Sequence, residues 1–188
     1  ASLAFPGTFG VPTAVAAKNG TFFAGITLAN PRGGVAGAGG DGDVVAGYTV
    51  GNPLDFVSLT FGVAVTGLSP FGDAGSFSVT ANRLLSAGGK SATFVGASAS
   101  NLLGWGVAGD RDAMLSAYVS HLTSFEMGAV EVPVQFTAGY GTDNTRSDDG
   151  LGRMRDGLFA GFGVGVTEAV SVGLSATETQ LNVGTTVS

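Results

Sequence analysis

The segment from Asp55 to Leu68 alternates apolar residues with small or polar ones at a period of two. The first set is Val57, Leu59, Phe61, Val63 and Val65, and the second is Ser58, Thr60, Gly62, Ala64 and Thr66. Because successive side chains of a β-strand point to opposite faces, this period predicts a strand with one apolar face and one small, polar face.

The same pattern recurs along most of the chain. Clear alternation is found at 130–140, 157–167 and 170–186, and weaker strands are predicted at 21–30, 43–51, 75–85, 91–102 and 113–126. The segment 113–126 could also form a short helix capped by Asp112, but its neighbours favour a strand. The alternation of 170–186 changes phase near residue 177, which indicates a β-bulge. The sequence therefore predicts nine strands, with turns at Gly51-Asn52-Pro53, at Gly88-Gly89-Lys90 and in the acidic loop 142–150.

The spacing of the strands decides between two all-β architectures. Their centres lie about 18 residues apart, whereas sandwich domains place a strand every 8–12 residues. The wider spacing suits the strands of about 9–11 residues that cross a bilayer at a tilt. We therefore expect an antiparallel meander β-barrel of about 8–10 strands, and a β-sandwich or jelly roll is the alternative.

The first twenty residues differ from the rest, since they contain two prolines and no clear period. We expect residues 1–20 to form an N-terminal arm or plug and residues 21–188 to form the barrel domain. Side chains just fill a barrel of this size, so one lined with Gly, Ser and Thr would leave a void. Water, a ligand or the arm would have to occupy that void.

The run FAGFGVGVTEAVSVGLSATETQ (159–180) and the 55–68 strand resemble bacterial outer-membrane β-barrel proteins. The resemblance is one of pattern over residues 20–188, and it implies a barrel in contact with outer-membrane lipid, with short turns at one end and longer loops at the other. Three features depart from the family pattern. The sequence ends Val187-Ser188 without a terminal aromatic residue, aromatic girdle residues are few (Trp105 and three Tyr), and nine is an odd number of strands.

Composition narrows the partners and the location. The net charge is −6 and the pI about 4.4, without a basic cluster, so nucleic acid is not an expected partner. The absence of Cys and the start Ala1-Ser2-Leu3-Ala4, which is typical of a chain after signal-peptide cleavage, predict an exported protein of the bacterial outer membrane or cell surface.

Two functions follow from these patterns. The preferred one is an outer-membrane-type barrel with a structural or passive, porin-like channel role. The alternative is a secreted β-sandwich subunit that self-associates into a surface filament or layer, because poorly guarded strand edges favour strand addition. Catalysis is not expected, since His121 is the only histidine and no G-x-S-x-G nucleophile motif is present.

Acidic loops offer the only candidate metal site. Asp143, Asp148 and Asp149 lie in the loop 142–150, and Asp41-Gly-Asp43 is a second cluster. Carboxylates spaced along a turn can bind Ca²⁺, but both loops lack the closing Glu of a calcium loop. A solvated loop is the preferred interpretation and a calcium site the alternative, and no other cofactor is expected. A further hypothesis places four polar residues in a ring inside the barrel: Glu131, Gln135, Glu178 and Gln180.

Overall fold

A computed structural model of the chain describes residues 3–4, 6–8, 10–29, 41–68, 71–146 and 154–187. These residues form ten strands: β1 (Phe22–Ala29), β2 (Asp41–Gly51), β3 (Ser58–Thr66), β4 (Gly75–Gly88), β5 (Ser91–Trp105), β6 (Met114–Met127), β7 (Val130–Arg146), β8 (Met154–Gly165), β9 (Val170–Thr177) and β10 (Leu181–Val187). A 3₁₀ turn, Gly106–Ala108, follows β5. Within the described ranges, no helix is long and apolar enough to span a membrane.

The ten strands form one antiparallel sheet in which spatial order equals sequence order. The all-β meander is therefore confirmed. The two layers of a sandwich do not occur, because all ten described strands belong to a single sheet. Hydrogen bonds between described residues pair β1 only with β2 and β10 only with β9, so they do not close the sheet into a barrel.

The predicted strand 170–186 is in fact a hairpin. Thr177 donates its backbone N–H to the carbonyl oxygen of Gln180 at 2.9 Å, and the chain reverses between β9 and β10. The phase change near residue 177 is therefore a turn and not a bulge. The predicted number of strands, nine, was one too low. The strand predicted at 113–126 is confirmed as β6, whereas the predicted loop 142–150 begins inside β7.

The sheet has two chemically different faces. Thr49, Thr60, Thr80, Ser98 and Ser116 lie side by side across β2 to β6. This face, which we call the arm face, is also the one that the N-terminal arm covers. The opposite face, which we call the open face, carries a matching apolar row: Phe22, Tyr48, Phe61, Val79, Ala99 and Leu115.

Glycines on β8 let the arm lie directly on the sheet. A β-carbon at Gly163 would collide with the backbone of Gly7, and one at Gly165 would collide with the carbonyl oxygen of Ala4. At Gly161 a β-carbon would lie 2.7–2.8 Å from side-chain atoms of the arm. The arm backbone therefore takes the place that side chains would fill on an ordinary strand.

The two ends of the sheet differ in their connections. The turn end carries the connections 52–57, 89–90, 128–129 and 166–169, and the loop end carries 67–74, 106–113 and 178–180 together with the connections from β1 to β2 and from β7 to β8. Both ends of the arm lie at the turn end. The amide of Ala4 donates to Thr167 O at 2.6 Å, and Asn19 Oδ1 accepts from the amide of Gly51 at 2.9 Å. The arm is therefore a re-entrant loop whose tip lies near Gly10.

Candidate functional site

Burial in this sheet is the reverse of that in a water-soluble protein. Large apolar side chains are exposed on the open face: Phe22, Ile26, Leu28, Tyr48, Phe61, Phe77, Leu115, Val119, Phe136, Tyr140, Leu158, Leu174 and Val183. Polar side chains are buried on the arm face: Thr49, Ser58, Asn82, Ser120, Gln135, Thr137, Ser171 and Ser175. Isolated exposed apolar residues are ordinary in soluble proteins, but a continuous apolar face marks an interface with a membrane or another protein.

The polar side chains of the arm face bond to one another across neighbouring strands. Oxygen–oxygen distances are 2.8 Å for Thr49 and Thr60, 2.7 Å for Ser98 and Ser116, and 2.7 Å for Ser120 and Thr137. These pairs give the arm face a neutral surface of hydroxyl groups that can both donate and accept hydrogen bonds.

A small apolar cluster attaches the arm to the middle of the sheet. Ala14 of the arm is fully buried against Phe94, Tyr118 and Phe159, and the ring centroids of Tyr118 and Phe159 lie 6.2 Å apart. The Tyr118 ring lies over Gly96, where a β-carbon would collide with it, as aromatic rings often cover glycines in a sheet.

The arm covers part of the turn-end half of the arm face, where a pocket of about 640 Å³ remains between Lys18, the β2–β3 turn and Phe94. Two further cavities lie in the other half. One cavity of about 310 Å³ lies between the arm tip at Gly10, Val11 and Pro12 and the side chains of Ser98 and Ser116. A second, of about 300 Å³, is lined by Ser76, Ser78, Asn101 and Arg111. Ser100 and Met114 line both cavities, so the two adjoin and form a vestibule at the loop end.

The loop end is held by side chains that bond to backbone. The Asn101 amide nitrogen donates to the carbonyl oxygens of Ala108, Arg111 and Asp112 at 2.8–3.1 Å, and Trp105 Nε1 donates to Gly72 O at 3.0 Å. Asn101 and Leu103 have φ of 54° and 48°, in the left-handed region, where β4 and β5 shift register. This irregularity directs Asn101 into the β5–β6 loop.

The acidic residues of the candidate calcium sites are only partly described. The amide of Asp143 donates to Asp156 Oδ1 at 3.2 Å, whereas Asp148 and Asp149 lie outside the described residues. Among the described residues, no three His, Cys, Asp or Glu side chains are grouped as metal ligands.

In the second acidic cluster, Asp41 Oδ1 accepts from the amides of Gly42 and Leu68 at 2.8 and 2.7 Å. Asp43 Oδ1 accepts from the amide of Gly67 at 3.2 Å. Both carboxylates therefore hold the backbone at the start of the β3–β4 loop.

The four polar residues of the predicted internal ring are not brought together. Gln135 is buried in the middle of the arm face, Glu131 lies at the turn end with its carboxylate 3.6 Å from Lys90 Nζ, and Glu178 lies at the loop end, 3.2 Å from an Arg155 nitrogen. His121 lies on the open face, where its Nδ1 is 2.8 Å from Thr93 Oγ1. The polar alternation predicted that Gln135 faces inward, but it gave no sign that its partner would be Thr13 of the arm.

Comparison with known proteins finds no matching family model, no similar curated protein and no similar solved structure. The function must therefore be argued from the two faces of the sheet and from the arm.

Proposed function

We propose that this chain is an outer-membrane-type β-barrel of an exported bacterial protein, with a structural or passive-channel role and no enzymatic activity. The observation that carries the proposal is the reversed burial, with Val, Leu and Phe outward and Ser, Thr and Gln inward. In water, the apolar surface exposed on the open face would cost about 25 cal/mol of free energy per Å². Contact with outer-membrane lipid removes that cost, and the polar arm face is then shielded from lipid.

The edges of the sheet support closure. Because the number of strands is even, β1 and β10 run in opposite directions and can pair in the same antiparallel way as every other neighbour. An open edge in hydrocarbon leaves backbone groups unpaired at several kcal/mol each, so pairing of β1 with β10 would be strongly favoured in a bilayer. Apolar side chains lie outward on both edges, Ile26 on β1 and Val183 on β10.

The arm also bridges the two halves of the sheet. It is bonded to β2 where Gly20 N–H donates to Thr49 O at 2.8 Å, and its Gly10 lies next to Ser175 and Asn182 on β9 and β10. Because the arm contacts strands near both edges of the meander, it keeps these two edges close to the same segment of the chain. The shorter connections at the turn end and the longer ones at the loop end also fit the asymmetry of membrane barrels.

The same two edges favour a second candidate, strand addition between copies of the chain. If β10 of one copy pairs with β1 of the next, the sheets form a filament or layer at the cell surface. In both cases β1 pairs with β10, and the two functions differ in whether that pairing lies within one chain or between chains.

Engineered disulfides can separate the two functions, because the chain has no cysteine of its own. The pairs Ala24→Cys with Val183→Cys and Ala24→Cys with Thr185→Cys sample two registers of the edge strands on the open face. A barrel gives an intramolecular bond, which appears as a faster-migrating monomer on a non-reducing gel, and a filament gives a ladder of multimers. Ala24→Cys with Ala138→Cys is the control, since β7 is far from β1 in the sheet, and it should not cross-link.

Partitioning provides the independent measurement. A membrane barrel requires detergent for extraction and migrates differently on a gel before and after heating. A filament subunit is released by shear and sediments as a polymer. Extraction into salt buffer as a monomer would contradict both functions.

A further inference from the structure

The N-terminal arm occupies the part of the arm face through which a solute would have to pass. Its described residues run from Ala4, next to Thr167 at the turn end, to the tip at Gly10, and back to Asn19 at the turn end. Pro6 and Ala14 are completely buried. The vestibule of the loop end therefore ends at the arm tip, and the arm lies between it and the turn end.

We infer that the arm, through its described residues 3–4, 6–8 and 10–20, is a displaceable plug, which keeps the pore closed when docked and opens it when released. This inference rests on the proposed function, because a plug has meaning only if β1 and β10 close the sheet. It goes beyond that function, since a passive channel needs no movable part.

Between described residues, polar contacts hold the arm at its two ends and in the middle of the sheet. In the middle of the sheet, Ser120 Oγ accepts from the amide of Ala14 at 2.9 Å and lies 3.5 Å from Thr13 Oγ1. Gln135 Nε2 donates to Thr13 Oγ1 at 2.5 Å. The described arm contains no regular strand or helix, and Lys18 is the only charged residue in the sequence 3–20. The buried side chains of the described arm are small ones (Ala4, Pro6, Thr8 and Ala14), and a segment without a regular strand or helix can open locally without unfolding the sheet.

The surface that the arm would uncover defines the class of solute. Beneath the arm lie the β8 glycines, the neutral side chains of Ser120, Gln135 and Ser175, and the aromatic rings of Phe94, Tyr118 and Phe159, which pack on Ala14. Hydroxyl and amide groups can replace water around small ions and neutral polar molecules without selecting strongly for charge. The open pore should therefore pass small hydrophilic solutes with weak ion selectivity.

Single-channel recording in planar bilayers with KCl as the solute tests the plug in the full-length chain. Gly163→Ala adds a methyl group that collides with the backbone of Gly7, and backbone cannot rotate away as a side chain can. Gly25→Ala is the matched control, because its methyl would meet only Val45 Cγ1 at 3.4 Å. We expect Gly163→Ala to raise the open probability by about tenfold or more, because overpacking of this kind weakens docking of the arm by a corresponding free energy. The open probability of the Gly25→Ala control should equal that of the wild type.

A disulfide tests the same inference in the opposite direction. Thr13→Cys with Ser120→Cys replaces two oxygens that lie 3.5 Å apart and should hold the arm on β6. The oxidised protein should be silent, and a reductant should restore openings. If this pair does not oxidise in the folded protein, the arm is not docked there and the plug is wrong.

The heating-dependent gel band separates failure of the plug from failure of the barrel. If wild type and Gly163→Ala show this band and conduct equally, the barrel stands and the plug is overturned. If the wild-type chain shows no such band and does not insert into the bilayer, both proposals are overturned.

Discussion

Gln135 in the middle of β7 and Thr13 of the N-terminal arm are joined by a hydrogen bond of 2.5 Å from Nε2 to Oγ1. The Gln135 side chain is completely buried, and its Nε2 also lies 3.2 Å from Thr137 Oγ1. Its Oε1 has no hydrogen-bond partner among the described residues. Together with Ser120, this amide therefore connects the arm to the hydroxyl groups in the middle of the sheet.

Replacing this amide should loosen the arm without unfolding the sheet. Gln135→Met keeps most of the side-chain volume and removes the Nε2 donor. Docking of the arm on the sheet should therefore weaken by about 1 kcal/mol, which is the usual loss for one buried hydrogen bond. Amide hydrogen exchange at Ala14 should then be about fivefold faster, because 1.4 kcal/mol corresponds to tenfold. Gln180→Met, in the exposed β9–β10 turn, is the control. Equal exchange at Ala14 in both variants would show that Gln135 does not hold the arm.

Close packing of Gly139 gives a prediction about the sheet itself. A β-carbon at this position would lie 2.6 Å from the carbonyl oxygen of Ala117 and from the β-carbon of Tyr118, and it would collide with the Phe159 ring. Gly139→Ala should therefore lower the free energy of unfolding by about 1–3 kcal/mol, the usual cost of overpacking. Urea unfolding in detergent measures it, with Gly25→Ala as the control. A midpoint equal to that of the control would mean that the strands there can move apart.

The strands could be predicted from the sequence because the alternation is local. Every one of the nine predicted segments contains a strand, and Phe61 and Gln135 lie on the predicted faces. The turn between β9 and β10 was missed because Glu178-Thr179-Gln180 contains no Gly, Pro, Asn or Asp, which are the usual turn residues. Its only signal was the change of phase near 177, which a bulge would produce equally well.

The position of the arm could not be predicted in the same way. Its contacts with Gln135 and Ser120 join residues more than a hundred positions apart in sequence, and no local pattern encodes such a pairing. The glycines at 161, 163 and 165 were visible as a small-residue face, but a lumen filled with water would use the same residues.

Calcium should have no effect on stability. The carboxylates of Asp41 and Asp43 already accept backbone N–H groups of the β3–β4 loop. The Tm measured with about 5 mM added Ca²⁺ should equal the Tm measured with excess chelator. This calcium concentration is on the order of the millimolar dissociation constants of weak extracellular sites. A rise in Tm with Ca²⁺ that Asp148→Asn with Asp149→Asn abolishes would restore the calcium site in the loop that contains Asp143.

Lys90 at the turn end gives a prediction for the pH dependence of stability. Its Nζ donates to a carboxylate oxygen of Glu126 at 2.5 Å. This hydrogen bond, with the charges of Glu126 and Glu131, raises the pKa of Lys90 above its ordinary value, although desolvation partly opposes the shift. The stabilisation that a raised lysine pKa provides is fully present at pH values below the lysine pKa of the unfolded state. It is lost as the pH rises through the higher lysine pKa of the folded state.

Glu126→Gln should therefore lower the pKa of Lys90 and slightly lower the Tm at neutral pH, and the two Tm curves should converge in strong alkali. NMR titration of the Lys90 side-chain nitrogen measures the pKa, and Glu178→Gln, whose partner is Arg155, is the control. An unchanged Lys90 titration in Glu126→Gln would mean that the ion pair does not form in solution.

Two exposed leucines can show whether the open face meets lipid. Leu174 lies on the open face in the middle of β9 and is 41% exposed, and Leu54 lies in the β2–β3 turn and is 63% exposed. In water, arginine should be tolerated at both positions, because surface substitutions usually change stability by less than about 0.5 kcal/mol. In a bilayer, arginine near the midplane costs about 2–4 kcal/mol, whereas near the interface it costs about 0–1 kcal/mol. Leu174→Arg should therefore reduce folding into lipid vesicles far more than Leu54→Arg, as measured by urea titration of the folded gel band. If the two variants fold equally well in vesicles, the open face does not face lipid, and the membrane barrel is overturned.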